Sequence, residues 1–205
     1  MKTRKVACLC IALTVIALGL VSVYTVGATD GATIRISGTG GDDSIYINEG
    51  GNFILLNGVH VEPAGYDGTL TYVYEINAGK GDDVVNIYGY EGNDVYYVYA
   101  GQGDDTVNAN DGFGDEVFVI EGGQGIDNVD IEDFLGNDQY TVKLGKGADS
   151  LVVWDHILST DNYVLDGGQE SDSLTLHGLL KGPPPSEGEG GKISIVGFES
   201  IAEYP

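Results

Sequence analysis

One acidic side chain recurs along this chain at a fixed interval. Asp83, Asp94, Asp105, Glu116, Asp127, Asp138 and Asp149 stand 11 residues apart, and the series runs on through Asp161, after one extra residue, to Asp172. Two residues before the acid stands a glycine in seven successive units: Gly81, Gly92, Gly103, Gly114, Gly125, Gly136 and Gly147. A carboxylate beside the carbonyls of small residues is a donor set for a hard cation such as calcium, which takes roughly six to eight oxygens. Other chemistries are poorly supplied. His60, His156 and His177 show no metal-ligand spacing, and the chain contains neither H-E-x-x-H nor G-x-S-x-G. Polysaccharide-cleaving β-helices need cations against uronate, and Arg35 is the single arginine after residue 28. These residues therefore argue against an enzyme.

The ruler must be held by strands. Two residues after the acids come Val85, Tyr96, Val107, Phe118, Val129, Tyr140, Leu151, Tyr163 and Leu174; four after come Ile87, Val98, Ala109, Ile120, Ile131, Val142, Val153, Leu165 and Leu176. The positions between are mixed, which is the period-two alternation of a strand with one buried face. Each unit reads as a turn of about six residues and a strand of about five. So small a unit cannot bury its own apolar face, so units must stack. Every other turn is richer, namely AGKGDD, AGQGDD, GGQGID, LGKGAD and GGQESD, and the turns between are looser. Alternation in quality implies two edges, hence a coil of two strands and 22 residues. The expected fold is an all-β, right-handed parallel β-roll or β-helix solenoid with end caps; a three-sided coil ranks second.

The sequence GGQGIDNVD (122–130) resembles the calcium-binding repeat of RTX proteins, the nonapeptide G-G-x-G-x-D-x-U-x, at every defined position, and AGQGDDTVN (100–108) departs from it only at Ala100. The resemblance covers residues 78–176, with an outlying copy at GTGGDDSIY (38–46), and the period of 11 instead of nine is its clear departure. It implies a β-roll that binds several calcium ions. Carried over position by position, the implied ligands are Asp83, Asp105, Asp127, Asp149 and Asp172 on the richer edge, with carbonyls near Gly79, Gly81, Gly101, Gly103, Gly123, Gly125, Gly145, Gly147 and Gly168. Asp94 and Asp138 on the looser edge and Asp43 in the outlying copy are further candidates. Glu170 stands where a glycine is expected, which weakens the last rich turn.

Stacking brings like carboxylates about 4.8 Å apart, where two charges repel by roughly 1 kcal/mol in water and several-fold more when partly buried. A cation between coils would turn that repulsion into a staple. Residues 1–28 read as a secretory signal: Lys2, Arg4 and Lys5 precede an apolar run from Val6 to Val26 that ends in Gly27 and Ala28. Its length also suits an uncleaved membrane anchor. Cys8 and Cys10 both lie inside it, so the remainder has no thiol.

Residues 29–205 carry 32 acids against six bases, a formal charge of −26, which repels nucleic acid and attracts cations. Residues 29–77 are expected to form a first coil and a hairpin about Asn57-Gly58, 78–180 the repeats, and 181–205 a Pro/Gly linker followed by capping strands. The functional expectation is a secreted or cell-surface, calcium-binding structural or adhesive protein whose partners are glycans or surface and matrix proteins. Uncapped strand edges also offer self-association. A carbohydrate-binding module is the alternative, with calcium or the tyrosine cluster of Tyr72, Tyr74, Tyr88, Tyr90, Tyr96, Tyr97 and Tyr99, some of which must face out at alternating positions, bridging to glycans; a non-catalytic fragment of an RTX-type enzyme or toxin ranks below it.

Overall fold

The computed structural model describes residues 11–16, 21–26, 30–155, 161–178 and 192–204. Expectations for Lys2, Arg4, Lys5, Cys8, Cys10, His156 and the loop 181–191 fall outside these. Two nine-stranded sheets face each other around one core. In the first, Ala32–Ser37, Tyr72–Lys80, Val95–Gln102, Val117–Gln124, Gln139–Lys146, Asn162–Gln169 and Lys192–Val196 lie parallel. In the second, Ser44–Asn48, Val84–Tyr88, Thr106–Asn110, Asn128–Asp133, Ser150–Asp155, Ser173–His177 and Ser200–Tyr204 do the same. The chain alternates between the sheets, so each coil has two strands and the molecule is an all-β solenoid.

Register gives the coil length directly. Val95 lies opposite Val73 on one side and Val117 on the other, a step of 22 residues, and Gln139 opposite Asn162, a step of 23. The one-residue offset before Asp161 is thus absorbed between strands without shifting their inward faces, which a slip within a strand would have reversed. Alternate residues, such as Tyr96, Val98 and Ala100 in one sheet and Val107 and Ala109 in the other, are fully buried.

The two edges differ more than the sequence suggests. The five first-sheet strands from Tyr72–Lys80 to Asn162–Gln169 run eight or nine residues, through Ala100-Gly101-Gln102 and their equivalents, because Gly101 still pairs with Gly79 and Gly123. The richer turn is consequently only Gly103–Asp105 in that coil. The looser edge spans residues 111–116 and carries its own short parallel pair, Glu91–Gly92 with Phe113–Gly114, plus a bridge from Phe113 to Leu135. It is a broad edge with a rudimentary third ladder.

At the N-terminal end, Phe53–Leu56 and Val59–His60 form a hairpin laid antiparallel on Ser44–Asn48. Asn57 and Gly58 both have positive φ, 52° and 75°, the backbone that a tight hairpin turn demands. Ile54 and Leu56 are buried, so this hairpin closes the core. In the other sheet Ile11–Ile16 and Val21–Val26 pair antiparallel and continue from Ala32–Ser37. No helix among the described residues is long and apolar enough to cross a membrane.

Inside the core the rings of Tyr74, Tyr96, Phe118, Tyr140 and Tyr163 stack in one column, with centroids 4.6–5.3 Å apart and planes within 12° of parallel. Tyr72, Tyr74 and Tyr96 are therefore core residues and offer no outward ring. Tyr88, Tyr90 and Tyr99 do face solvent.

Candidate metal centres at the two edges

On the richer edge Asp43, Asp83, Asp105, Asp127, Asp149 and Asp172 form one buried column. The carboxylate of each aspartate from Asp83 onward accepts the backbone N–H of its equivalent one coil earlier at 2.7–3.0 Å. Glu199 continues the column by accepting the Asp172 N–H at 2.7 Å. A second, exposed ladder runs beside it in the opposite sense: Asp42 accepts from the Asp82 N–H, Asp82 from Asp104 and Asp104 from Ile126. Each aspartate in these turns thus ties two coils together through backbone N–H groups that would otherwise lack partners.

The glycines are fixed by the same stacking. A Cβ on Gly103, Gly125 or Gly147 would overlap the carbonyl oxygen of the equivalent glycine one coil earlier, and these positions also have φ of 133°, 134° and 148°. Gly79, Gly81, Gly101, Gly123, Gly145 and Gly168 likewise have positive φ and a neighbouring coil's backbone against them. Glycine carbonyls and the aspartate column therefore meet along one edge. Glu170 keeps the glycine backbone, with φ of 87°, and Asp172 remains buried.

The looser edge brings carboxylates closer together. Asp111, Glu116 and Asp138 form one group, and Asp133, Asp138 and Asp161 another; within each, one oxygen per residue lies within 4.8 Å of the others. Asp138 belongs to both. All five are at most 3% exposed. Asp138 accepts the Glu116 N–H at 2.6 Å, Asp161 accepts the Asp138 N–H at 2.8 Å, and Asp94 accepts the Tyr72 N–H. Gly114 and Gly136 are again required, since a Cβ there would overlap the preceding coil's carbonyl and press on Glu116 Oε1 or Asp138 Oδ2.

Asp111, Asp133 and Glu49 lie off the ruler, and the spacing of acids did not mark them as site residues. Each receives a hydroxyl from the aromatic column: Tyr140 donates to Asp111 at 3.0 Å, Tyr163 to Asp133 at 2.6 Å and Tyr96 to Glu49 at 2.5 Å. One coil before Asp111 in register stands Gly89, and the ring that would face it is Phe118, which has no hydroxyl. Where the inner acid is missing the phenol is missing too; one coil after Asp133 the acid recurs as Asp155, while Ile193 takes the place in register with Tyr163. That pairing was available in the sequence only to a reader who already knew the register.

Burial dominates the electrostatics. It pushes Asp83 up to about 6 and Asp127 up to about 7, opposed by the backbone N–H each accepts and reinforced by neighbouring carboxylates. Asp105, Asp149 and Asp172 move the same way. On the looser edge burial first and neighbouring charge second hold Asp111 and Glu116 well above the usual carboxylate range; Asp133 and Asp138 are raised, again chiefly by burial. Among the described residues, eleven buried carboxylate oxygens on the two edges have no hydrogen-bond partner, including both oxygens of Glu116 and the Oδ2 atoms of Asp83, Asp105, Asp127, Asp138, Asp149 and Asp172. Buried charge without a partner is costly. These groups need a proton or a cation.

Fold and site together define a two-edged β-solenoid with inward-facing carboxylate columns. No protein-family model, curated protein or solved structure matches the chain.

Proposed function

We propose that this chain is an exported calcium-binding structural or adhesive protein, secreted or held at the cell surface, whose coils are locked together by ions at their edges. The carrying observation is the set of eleven buried, partnerless carboxylate oxygens repeated at the coil-to-coil steps. Leaving such acceptors unsatisfied costs about 1–3 kcal/mol each, and an ion between coils removes that cost while adding oxygen ligation. Calcium suits sites assembled from carboxylates and glycine carbonyls better than magnesium, which demands a tighter octahedron and keeps its waters. The leader-like residues 1–28, the acidity and the RTX-like turns support the same reading. Calorimetry should find several calcium ions bound with affinities of about 10⁻⁴–10⁻³ M, the range of extracellular modules. No calcium heat at millimolar concentration would refute it.

A second reading has its own observation. On the outer face of the second sheet Trp154, His177 and Tyr204 stack, with centroids 3.5 and 5.0 Å apart. Trp154 also lines a cleft of about 290 Å³ with Tyr88, Asn108, Asn110, Asp130 and Glu132. Exposed rings beside amides and carboxylates suit a sugar. Binding on a glycan array that is lost in Trp154→Ala would favour this reading; no bound glycan would dismiss it.

A further inference from the structure

We infer that the looser edge contains a two-ion centre, with one cation held by Asp111, Glu116 and Asp138, the next by Asp133, Asp138 and Asp161, and Asp138 shared between them. The inference rests on the calcium reading and deepens it. It places ions outside the glycine-aspartate turns of the richer edge, in two sites that each join two successive coils.

Geometry comes first. The carboxylate oxygens of each trio lie within 4.8 Å of one another, and two oxygens on opposite sides of a calcium ion stand about 5 Å apart, given bonds of about 2.3–2.6 Å. The free atoms converge as well. Asp138 Oδ1 and Asp161 Oδ1 are engaged by backbone N–H groups and Asp133 Oδ2 by the Tyr163 hydroxyl, while Glu116 Oε1 and Oε2, Asp138 Oδ2, Asp161 Oδ2 and Asp133 Oδ1 have no partner. The hydrogen bonds hold Asp133, Asp138 and Asp161 each by one oxygen and leave the other for an ion, and Glu116 offers both of its oxygens. Asp111 is held at both, by the Phe134 N–H at 3.3 Å and the Tyr140 hydroxyl at 3.0 Å, and a carboxylate oxygen has a second lone pair for an ion.

The phenol-held acids run from Asp111 to Asp133. One coil earlier Gly89 and Phe118 replace the inner acid and its phenol, and one coil later Asp155 stands in register with Asp133 but Ile193 replaces the phenol in register with Tyr163. Among the described residues there are two complete trios, with five carboxylates between them. Two divalent cations would bring a formal charge of −5 to −1, which no single ion achieves.

The test uses the full chain and two readouts. Calcium bound per chain is measured by equilibrium dialysis, and terbium, a luminescent stand-in for calcium, is excited through tyrosine. Asp138→Asn keeps an oxygen for the Glu116 N–H, so the coil step is preserved. It should remove two calcium ions per chain and cut tyrosine-sensitised terbium emission at least threefold, whereas Glu116→Gln and Asp161→Asn each remove one ion and Asp127→Asn leaves the emission in place. Loss of one ion or none in Asp138→Asn, with emission unchanged, overturns the shared centre while leaving calcium binding elsewhere intact. A wild-type chain that binds no calcium at all overturns the broader reading instead. Should Asp138→Asn not fold, Tyr163→Phe decides, because Phe118 already occupies the equivalent place in the stack: a several-fold weaker terbium affinity supports the centre, and unchanged affinity overturns it.

Discussion

At the residue scale the repeated glycine and the repeated aspartate solve one problem. Coils stacked about 4.8 Å apart bring turn backbones into contact, so the glycine two residues before each acid must lack a Cβ and the aspartate must satisfy a neighbouring N–H. Gly125→Ala should therefore destabilise the calcium-bound chain by about 1–3 kcal/mol from its φ of 134° alone, with the Gly103 carbonyl overlap adding to it. A shifted urea midpoint at constant slope would register this. Asp127→Ala removes the acceptor for the Asp105 N–H and should cost about 1–3 kcal/mol even in chelator. An unchanged midpoint in chelator would mean that the carboxylate ladder does not contribute without metal.

At the element scale the aromatic column and the inner acids behave as one unit. By register Phe118 stands where Gly89 replaces the inner acid, so Phe118→Tyr should bury a hydroxyl with no acid to receive it and lower stability by about 1–3 kcal/mol; a higher melting temperature would contradict the pairing. Much of this level was legible in the sequence. The 11-residue interval gave strand and turn, and the alternation of turn quality gave two edges and a 22-residue coil, as the register of Val95 on Val73 and Val117 bears out. The richer column from Asp83 to Asp172 was legible for the same reason. Strand length was not, because Ala100-Gly101-Gln102 looks like turn chemistry and becomes strand only through pairing with its stacked copies. Nor were the trios. Asp111 and Tyr140 are 29 residues apart, and such contacts emerge only when a coil closes on its neighbour. Which tyrosines of the cluster face out is not legible, because tyrosine suits either face of a strand; the core takes Tyr96 and Tyr74, whose hydroxyls meet Glu49 and Tyr66.

At the scale of the whole molecule a buried acidic interior makes stability depend on protons and ions in opposite ways. Asp83 and Asp127 rise to about 6 and about 7 when folded, against about 3.9 in an unfolded chain. Between roughly pH 4 and pH 7 the metal-free folded state binds more protons than the unfolded one, so its stability is full below about pH 4 and falls as pH rises through that window. Calcium reverses the slope, because its ligands must be deprotonated and binding strengthens as pH rises. Melting temperatures of the metal-free and calcium-saturated chains should therefore diverge from pH 4 to pH 8, and parallel curves would contradict the linkage. The most direct measurement is far-UV circular dichroism with thermal melting at pH 7.5, first in chelator and then with calcium, with magnesium as control. A calcium-specific gain in β signal is expected, with a melting rise of roughly 5–10 °C per site at a hundredfold excess over Kd. A complete β spectrum in chelator with a melt that calcium leaves unmoved would contradict the account.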